Sequence, residues 1–216
     1  MVDRSDAIHA LREIGRLFYD RGWSRATSSN YSVVLSRSPL QLLLTASGKN
    51  KGALLDSDFV VVDENGGCIE STPHRPSAET RLHCVLAKSR GAGAVLHTHS
   101  PWGTILSDVH MPYGGMAVEG YEMLKGLDGI ETHDSRIWIE IFENTQDMDA
   151  LGKDIAQRLD DEESPLEHGF LIHQHGLYTW GDTLDDALRH LEVFEFLFEV
   201  LGRRSAMRLE RPMRRR

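Results

Sequence analysis

The chain has 216 residues, of which 40% are hydrophobic and 26% are charged, and this balance suits one globular domain better than two. The formal net charge of −9 argues against a general nucleic-acid-binding protein, and no apolar run approaches the ~18 residues that a membrane span needs. The two cysteines imply no disulfide framework, and the first residues lack a signal-peptide pattern. We therefore expect a cytoplasmic protein that binds neither nucleic acid nor a membrane.

The first part of the sequence predicts a helix, three strands and a second helix. Apolar residues at helical spacing begin after Ser5, the expected N-cap, and end at Gly22. Apolar segments bounded by turn residues predict strands over 31–35, 40–45 and 59–62. The second helix should begin near Ala78 with Ser77 as its N-cap, and it should end at Gly91.

The remainder alternates between strands and helices. Strands are predicted over 94–96, 137–141, 169–172 and 177–180, and helices over 102–107, 147–159 and 184 to about 203. The last helix begins with a capping box formed by Thr183 and Asp186, whereas residues 117–126 are less regular. This order predicts one three-layer α/β/α domain over 1–216, with a mixed and mostly antiparallel central sheet. The arginine-rich segment from about 205 to 216 is expected to be a solvated tail rather than an RNA contact.

The most chemically distinctive stretch follows a short apolar run, Ala94–Leu96. If this run is a strand, His97 and His99 project from the same face, although such a pair can also be a polar strand end. Two imidazoles at this spacing can bind one metal ion when a third ligand comes from elsewhere. His173 and His175 are candidates for that ligand, and because they would share a strand face, spacing alone does not choose between them.

Two further features fit either a site or an ordinary surface. The loop over 45–52 combines small residues with two lysines, and so offers the N–H groups, hydroxyls and positive charge of a phosphate pocket. Its spacing is not that of a P-loop, and its composition alone fits a surface turn. Glu79 lies in the first turn of the second predicted helix, where the helix dipole alone favours an acidic residue.

Taken together, these motifs resemble the class II aldolase/adducin superfamily over nearly the whole chain. The resemblance is carried by Thr45-Ala46-Ser47-Gly48, Arg75-Pro76-Ser77-Ala78-Glu79-Thr80, Val95-Leu96-His97-Thr98-His99-Ser100 and His175-Gly176-Leu177-Tyr178-Thr179-Trp180-Gly181. Within the superfamily, two further segments are most similar to the methylthioribulose-1-phosphate dehydratases: Gly120-Tyr121-Glu122-Met123-Leu124-Lys125 and Phe142-Glu143-Asn144-Thr145-Gln146-Asp147.

The resemblance implies one zinc ion per subunit, bound by His97, His99 and His175, with His173 left as a structural residue. It also implies acid–base glutamates, with Glu122 as the catalytic one and Glu79 in a supporting or substrate-contacting role.

A set of small polar residues and one lysine is implied to bind the substrate phosphate: Ser28, Ser29, Asn30, Ser47, Gly48, Lys51 and Ser77. The first of these loops departs from the glycine-rich version that is usual in the aldolases, since it reads Thr27-Ser28-Ser29.

The implied reaction is the zinc-dependent dehydration of 5-methylthioribulose 1-phosphate to 2,3-diketo-5-methylthiopentyl 1-phosphate, a hydro-lyase step of methionine salvage. Lewis-acid polarisation would make the C3 proton removable, a carboxylate would take it, and the C4 hydroxyl would leave as water. Alternatives are a sugar-phosphate aldolase or pentulose-phosphate epimerase, and a non-catalytic adducin-like interaction module. Because the superfamily commonly forms C4 tetramers, we expect a homo-oligomer that acts on a small phosphorylated ketose.

Overall fold

The computed structural model describes residues 2–161 and 166–209. Its helices are α1 (Arg4–Arg21), α2 (Thr80–Ser89), α3 (Pro101–His110), α4 (Met148–Leu159) and α5 (Leu184–Leu209). Its strands are β1 (Asn30–Arg37), β2 (Leu40–Thr45), β3 (Phe59–Asp63), β4 (Ala94–Thr98), β5 (Gly115–Glu119), β6 (Arg136–Phe142), β7 (Gly169–Ile172) and β8 (Gly176–Gly181).

In the described part of the chain, the strands form one sheet in the order β3-β2-β1-β4-β8-β7-β6-β5. Neighbouring strands are antiparallel except for the parallel pair β6 and β7. Helices α1, α3 and α5 pack with one apolar cluster, and α2 and α4 with another. The predicted three-layer α/β/α fold with a mixed, mostly antiparallel sheet is confirmed.

Strand β4 lies at the centre of this sheet and distributes its side chains between the two layers. Val95 packs with the α2 and α4 cluster, whereas Leu96 packs with the α1 and α5 cluster. Because side chains alternate along a strand, His97 faces the α2 layer and Thr98 faces the α5 layer.

Two predicted helix starts are wrong by a few residues. The N-cap of α1 is Asp3 rather than Ser5, because the Asp3 carboxylate accepts hydrogen bonds from the N–H groups of Ser5 at 2.8 Å and Asp6 at 3.1 Å. Helix α2 begins at Thr80, because the preceding residues form a turn in which Thr80 donates its N–H to the Ser77 carbonyl at 3.1 Å.

Other elements are longer than predicted, or were not predicted. Strand β5 was not predicted and overlaps the start of the irregular stretch 117–126, because its apolar run is short and lies between glycines. Helix α3 begins at Pro101 behind the N-cap Ser100 and continues to His110. Residues 205–209 of the predicted tail extend α5, and residues 210–216 lie outside the described part of the chain. None of the described helices is long and apolar enough to cross a membrane.

Candidate active site

The three histidines predicted to bind a metal converge at one end of the sheet. His97 comes from β4, His99 follows it directly, and His175 lies in the turn between β7 and β8. One ring nitrogen from each residue lies within 4.8 Å of the other two, and the Nε2 atoms of His97 and His99 are 2.8 Å apart. The arrangement brings three imidazole donors to one point.

The tight turn before β8 delivers His175 to this point. Gln174 adopts a left-handed conformation with φ of 51°, and the N–H of His175 donates to the Ile172 carbonyl at 3.1 Å. A Cβ atom on Gly176 would lie 1.9 Å from the carbonyl oxygen of Thr98, so a glycine is required where β8 passes the end of β4.

The same turn separates His175 from His173. The expectation that these two residues share a strand face is wrong, because the chain reverses between them instead of continuing as a strand. The Nε2 atom of His173 lies 3.1 Å from the Asp108 carboxylate on α3, and its Nδ1 atom lies 3.8 Å from Glu143. His175 therefore belongs to the cluster and His173 does not.

The protonation of His97 suits a metal ligand. Its Nδ1 atom lies 2.8 Å from the carbonyl oxygen of Leu177, which can only accept, so Nδ1 carries the proton and the Nε2 lone pair faces the cluster. The ring also stacks on Tyr178, with centroids 4.0 Å apart. Burial lowers the pKa of His97 to about 4, and burial together with His97 lowers the pKa of His99 further. Both rings are neutral at pH 7, which is the form that binds metals.

This donor set fits a divalent cation. Catalytic zinc sites use three protein ligands and leave one position open for water or substrate. Three imidazoles beside a cavity supply that arrangement.

Glu79 lies against the histidine cluster. Its Oε1 atom is 3.0 Å from His175 Nε2, its Oε2 atom is 3.5 Å from His97 Nε2, and Asn30 donates to Oε2 at 2.6 Å. Burial raises the pKa of this carboxyl group, but His97, His175 and Asn30 outweigh burial and hold it well below its usual range. Glu79 is thus an ionised group of the site, and its side chain makes no capping hydrogen bond to α2.

His83, which no sequence motif singled out, has a buried ring that fixes Asn30. Its Nε2 atom contacts Asn30 Oδ1, and its Nδ1 atom lies 2.7 Å from Ser32 Oγ. Burial lowers the pKa of His83 to about 4, so the ring is neutral and can donate to Asn30 from one nitrogen while accepting from Ser32 at the other. The available signal was its position four residues after Glu79, which puts both side chains on one face of a helix.

A cavity of about 150 Å³ opens beside the cluster. Glu79, His99 and His175 line this cavity. All seven predicted phosphate-binding residues line it as well, namely Ser28, Ser29, Asn30, Ser47, Gly48, Lys51 and Ser77. Ser29 and Gly48 both adopt left-handed backbone conformations with φ of 73°, and the buried Ser29 hydroxyl has no hydrogen-bond partner among the described residues. The cavity therefore offers the Ser29 hydroxyl as a donor to an anion.

Lys51 brings the positive charge of this cavity. The side chain is buried, and its ammonium group donates to the carbonyls of Lys49 at 2.8 Å and Thr27 at 3.4 Å. Burial lowers the pKa of Lys51 to about 8, partly offset by Asp58. A lysine has three N–H donors, so one remains for a ligand.

Glu122 is the one predicted site residue that does not join this group within the chain. Strand β6 runs parallel to β7, so both strands end at the histidine end of the sheet. Strand β5 is antiparallel to β6 and pairs Gly115 with Glu140, so β5 starts at that end. The loop that follows Glu119 therefore leaves from the opposite end. Glu122 is exposed there, 2.7 Å from Lys125 and 3.6 Å from His133, and its catalytic role stays a prediction.

Comparison with known proteins agrees with this fold. Residues 9–201 match the sequence profile of the family described as Class II Aldolase and Adducin N-terminal domain. The chain is 44% identical to methylthioribulose-1-phosphate dehydratase of Marinobacter nauticus, over 89% of this chain and 91% of that protein. It is 46% identical to the enzyme of the same name from Pseudomonas fluorescens, over 95% of this chain and 97% of that protein.

A solved structure extends the comparison to the fold. An L-fuculose 1-phosphate aldolase superposes with a TM-score of 0.76 at 20% identity, covering 99% of this chain and 91% of the aldolase. The chain therefore belongs to the class II aldolase and adducin family.

Proposed function

We propose that this chain is a hydro-lyase, a zinc-dependent dehydratase that converts 5-methylthioribulose 1-phosphate to 2,3-diketo-5-methylthiopentyl 1-phosphate. The observation that carries the proposal is the three-imidazole cluster beside a cavity of hydroxyls and a buried lysine. Relatives that carry the dehydratase name at 44% and 46% identity support the choice of substrate. We place the reaction in methionine salvage in the cytoplasm, and we propose that residues 1–216 act as one domain with one zinc ion.

His97, His99 and His175 would hold the cation. A divalent cation bound there supplies Lewis acidity, which polarises a carbonyl group and favours loss of the neighbouring C–H proton. Lys51 and the hydroxyls of the cavity bind the phosphate and so fix the ketose relative to the histidines. Glu79, which is ionised and held by Asn30, orients the substrate hydroxyls as a hydrogen-bond acceptor.

Glu122 is proposed to take the C3 proton and deliver it to the departing C4 hydroxyl. Since its loop leaves the sheet at the end opposite the histidines, the carboxylate would act in the site of a neighbouring subunit. The homotetramer expected from the family would provide such a neighbour. In the single chain, Lys125 and His133 lower the pKa of Glu122, whereas burial at a subunit contact would raise it toward the range of a proton donor.

An aldolase or epimerase activity is the alternative, because a solved aldolase shares the fold. All three reactions depend on the same polarised carbonyl group and differ in the bond that breaks. The dehydratase breaks the C4–O bond, whereas the aldolase breaks the C3–C4 bond. The test is to incubate the protein with 5-methylthioribulose 1-phosphate, fuculose 1-phosphate and ribulose phosphates, with and without chelator. A dehydratase yields a diketone of unchanged carbon count, and an aldolase yields two fragments.

Replacing Lys51 by methionine should raise KM by about 10- to 100-fold with little change in kcat, because a hydrogen bond to a charged group contributes about 1.5–3 kcal/mol. Steady-state kinetics would measure this change. Lys49→Met is the matched control, because Lys49 is two residues away and pairs with Asp58 at 2.7 Å. Equal KM values for both variants would contradict a phosphate-binding role for Lys51.

The pH dependence of kcat/KM should show the ionisation of the same lysine. Burial lowers the pKa of Lys51 to about 8, so its positive charge is present below that pH and is lost above it. We therefore expect kcat/KM, which reports the free enzyme, to fall as pH rises through about 8. A pH profile of Lys51→Met should lack this alkaline limb, and persistence of the limb in the variant would assign it to another group.

A further inference from the structure

A buried carboxyl group lies behind the strand that carries two of the three histidines. Glu195 is only 3% exposed, on the face of α5 that packs against the sheet. Its Oε1 atom accepts a hydrogen bond from the Thr98 hydroxyl at 3.0 Å. Its Oε2 atom is buried and has no hydrogen-bond partner among the described residues. The mechanism above gives this group no role.

The partners of Glu195 flank His99 on both sides. Thr98 lies between His97 and His99 and faces α5, away from the metal site. Ser100, on the other side of His99, lowers the pKa of the Glu195 carboxyl group, and it is the N-cap of α3, accepting from Gly103 N–H at 3.1 Å. Glu195 thus lies beside both the end of β4 and the start of α3.

His99 has less support of its own than His97. The His97 ring is fixed by Leu177 and stacks on Tyr178, whereas His99 Nδ1 makes no hydrogen bond within 2–161 and 166–209. The backbone N–H of His99 donates to the Trp23 carbonyl at 2.8 Å. The direction of the His99 ring therefore depends on how the backbone of its two neighbours is held.

A carboxyl group at this position is costly to bury. Burial raises the pKa of Glu195 to about 7, although the hydroxyls of Ser100 and Thr98 lower it in part. Leu191 and Phe198, one turn before and nearly one turn after Glu195 on α5, are buried in the apolar cluster. A leucine would suit such surroundings better, since replacing buried polar groups by well-packed apolar ones is often neutral or stabilising. A cost of this kind points to a function other than stability.

We propose that Glu195 is a positioning residue, which holds Thr98 and Ser100 so that His99 presents its ring to the metal ion together with His97 and His175. The inference rests on the metal site of the proposed function. Partners that orient metal ligands typically contribute about 10- to 100-fold to metal affinity.

The test compares metal affinity and fold stability in whole-chain variants. Glu195→Leu removes both acceptors at similar volume, and Glu195→Gln keeps one acceptor oxygen. Glu199→Leu is the matched control, because Glu199 lies one turn further along α5 and pairs with Arg203 at 2.6 Å. Competition with a chelating dye would measure the dissociation constant for Zn²⁺. The absorption spectrum of the Co²⁺ protein would report the ligand geometry, and urea unfolding would report the stability of the metal-free proteins.

We expect Glu195→Leu to weaken Zn²⁺ binding by about 10- to 100-fold and to shift the Co²⁺ spectrum, with Glu195→Gln closer to wild type and Glu199→Leu unchanged. Wild-type affinity in a folded Glu195→Leu protein would overturn the inference. If that variant does not fold, Thr98→Val tests the inference instead. It removes the hydroxyl that donates to Glu195 at constant shape, and it should weaken Zn²⁺ binding in the same way. Failure of the wild-type protein to bind Zn²⁺ would instead refute the metal site itself.

Discussion

Replacing His175 by alanine is expected to remove the bound metal and to lower kcat/KM by at least about 10³-fold. Lewis-acid polarisation contributes several kcal/mol to the transition state, and each 1.4 kcal/mol corresponds to a tenfold change in rate. The loss of one of three imidazoles leaves His97 and His99, whose Nε2 atoms are 2.8 Å apart, without the ligand that completes the site. Metal content per chain and steady-state kinetics would measure both effects.

His173→Ala is the matched control for this prediction. The two histidines are two residues apart, but the His173 ring is turned toward Asp108 and Glu143. We expect this variant to keep its metal and most of its activity. A protein that loses metal with His173→Ala and keeps it with His175→Ala would contradict the geometry described above.

Replacing Glu122 by glutamine should lower kcat by about 10²–10⁴-fold, the usual contribution of a general acid–base group. Metal content and phosphate affinity should stay at wild-type values, because Glu122 is remote from the cluster within its own chain. Glu119→Gln is the control, since Glu119 is an exposed residue at the end of β5, three residues before Glu122, and pairs with Arg136 at 3.8 Å. Full activity of Glu122→Gln would exclude it as the proton carrier.

Mixing two inactive variants tests whether Glu122 acts across a subunit boundary. Subunits with Glu122→Gln keep their histidines, and subunits with His175→Ala keep their glutamate. If each site combines residues from two copies, random mixing in equal amounts should restore roughly a quarter of the wild-type sites. Hybrid assemblies that regain no activity would show that the glutamate and the histidines serve from the same chain.

Local sequence patterns predicted most of this fold, whereas the family resemblance predicted most of the candidate site. The alternation of β4 placed His97 and His99 on one side, and turn residues bounded the strands that flank them. The loops around Ser28, Ser47 and Ser77 are far apart in sequence, and only the family resemblance joined them before the cavity was known.

Sequence patterns did not predict the contacts that depend on tertiary packing. The reversal at Gln174, which separates His173 from His175, places a left-handed conformation on a residue that is not a glycine. The hydrogen bond of His83 to Asn30 joins a helix to a strand across 53 residues, and Glu195 appears in the sequence as one more acidic residue of a long helix. The position of Glu122 required the strand directions of β5, β6 and β7.

The most direct test of the account is the product formed from 5-methylthioribulose 1-phosphate, identified by mass spectrometry. We expect a single phosphorylated diketone that is one water molecule lighter than the substrate. We also expect a chelator to abolish product formation and Zn²⁺ to restore it. Two carbon fragments, or unchanged substrate with the metal-loaded protein, would contradict it.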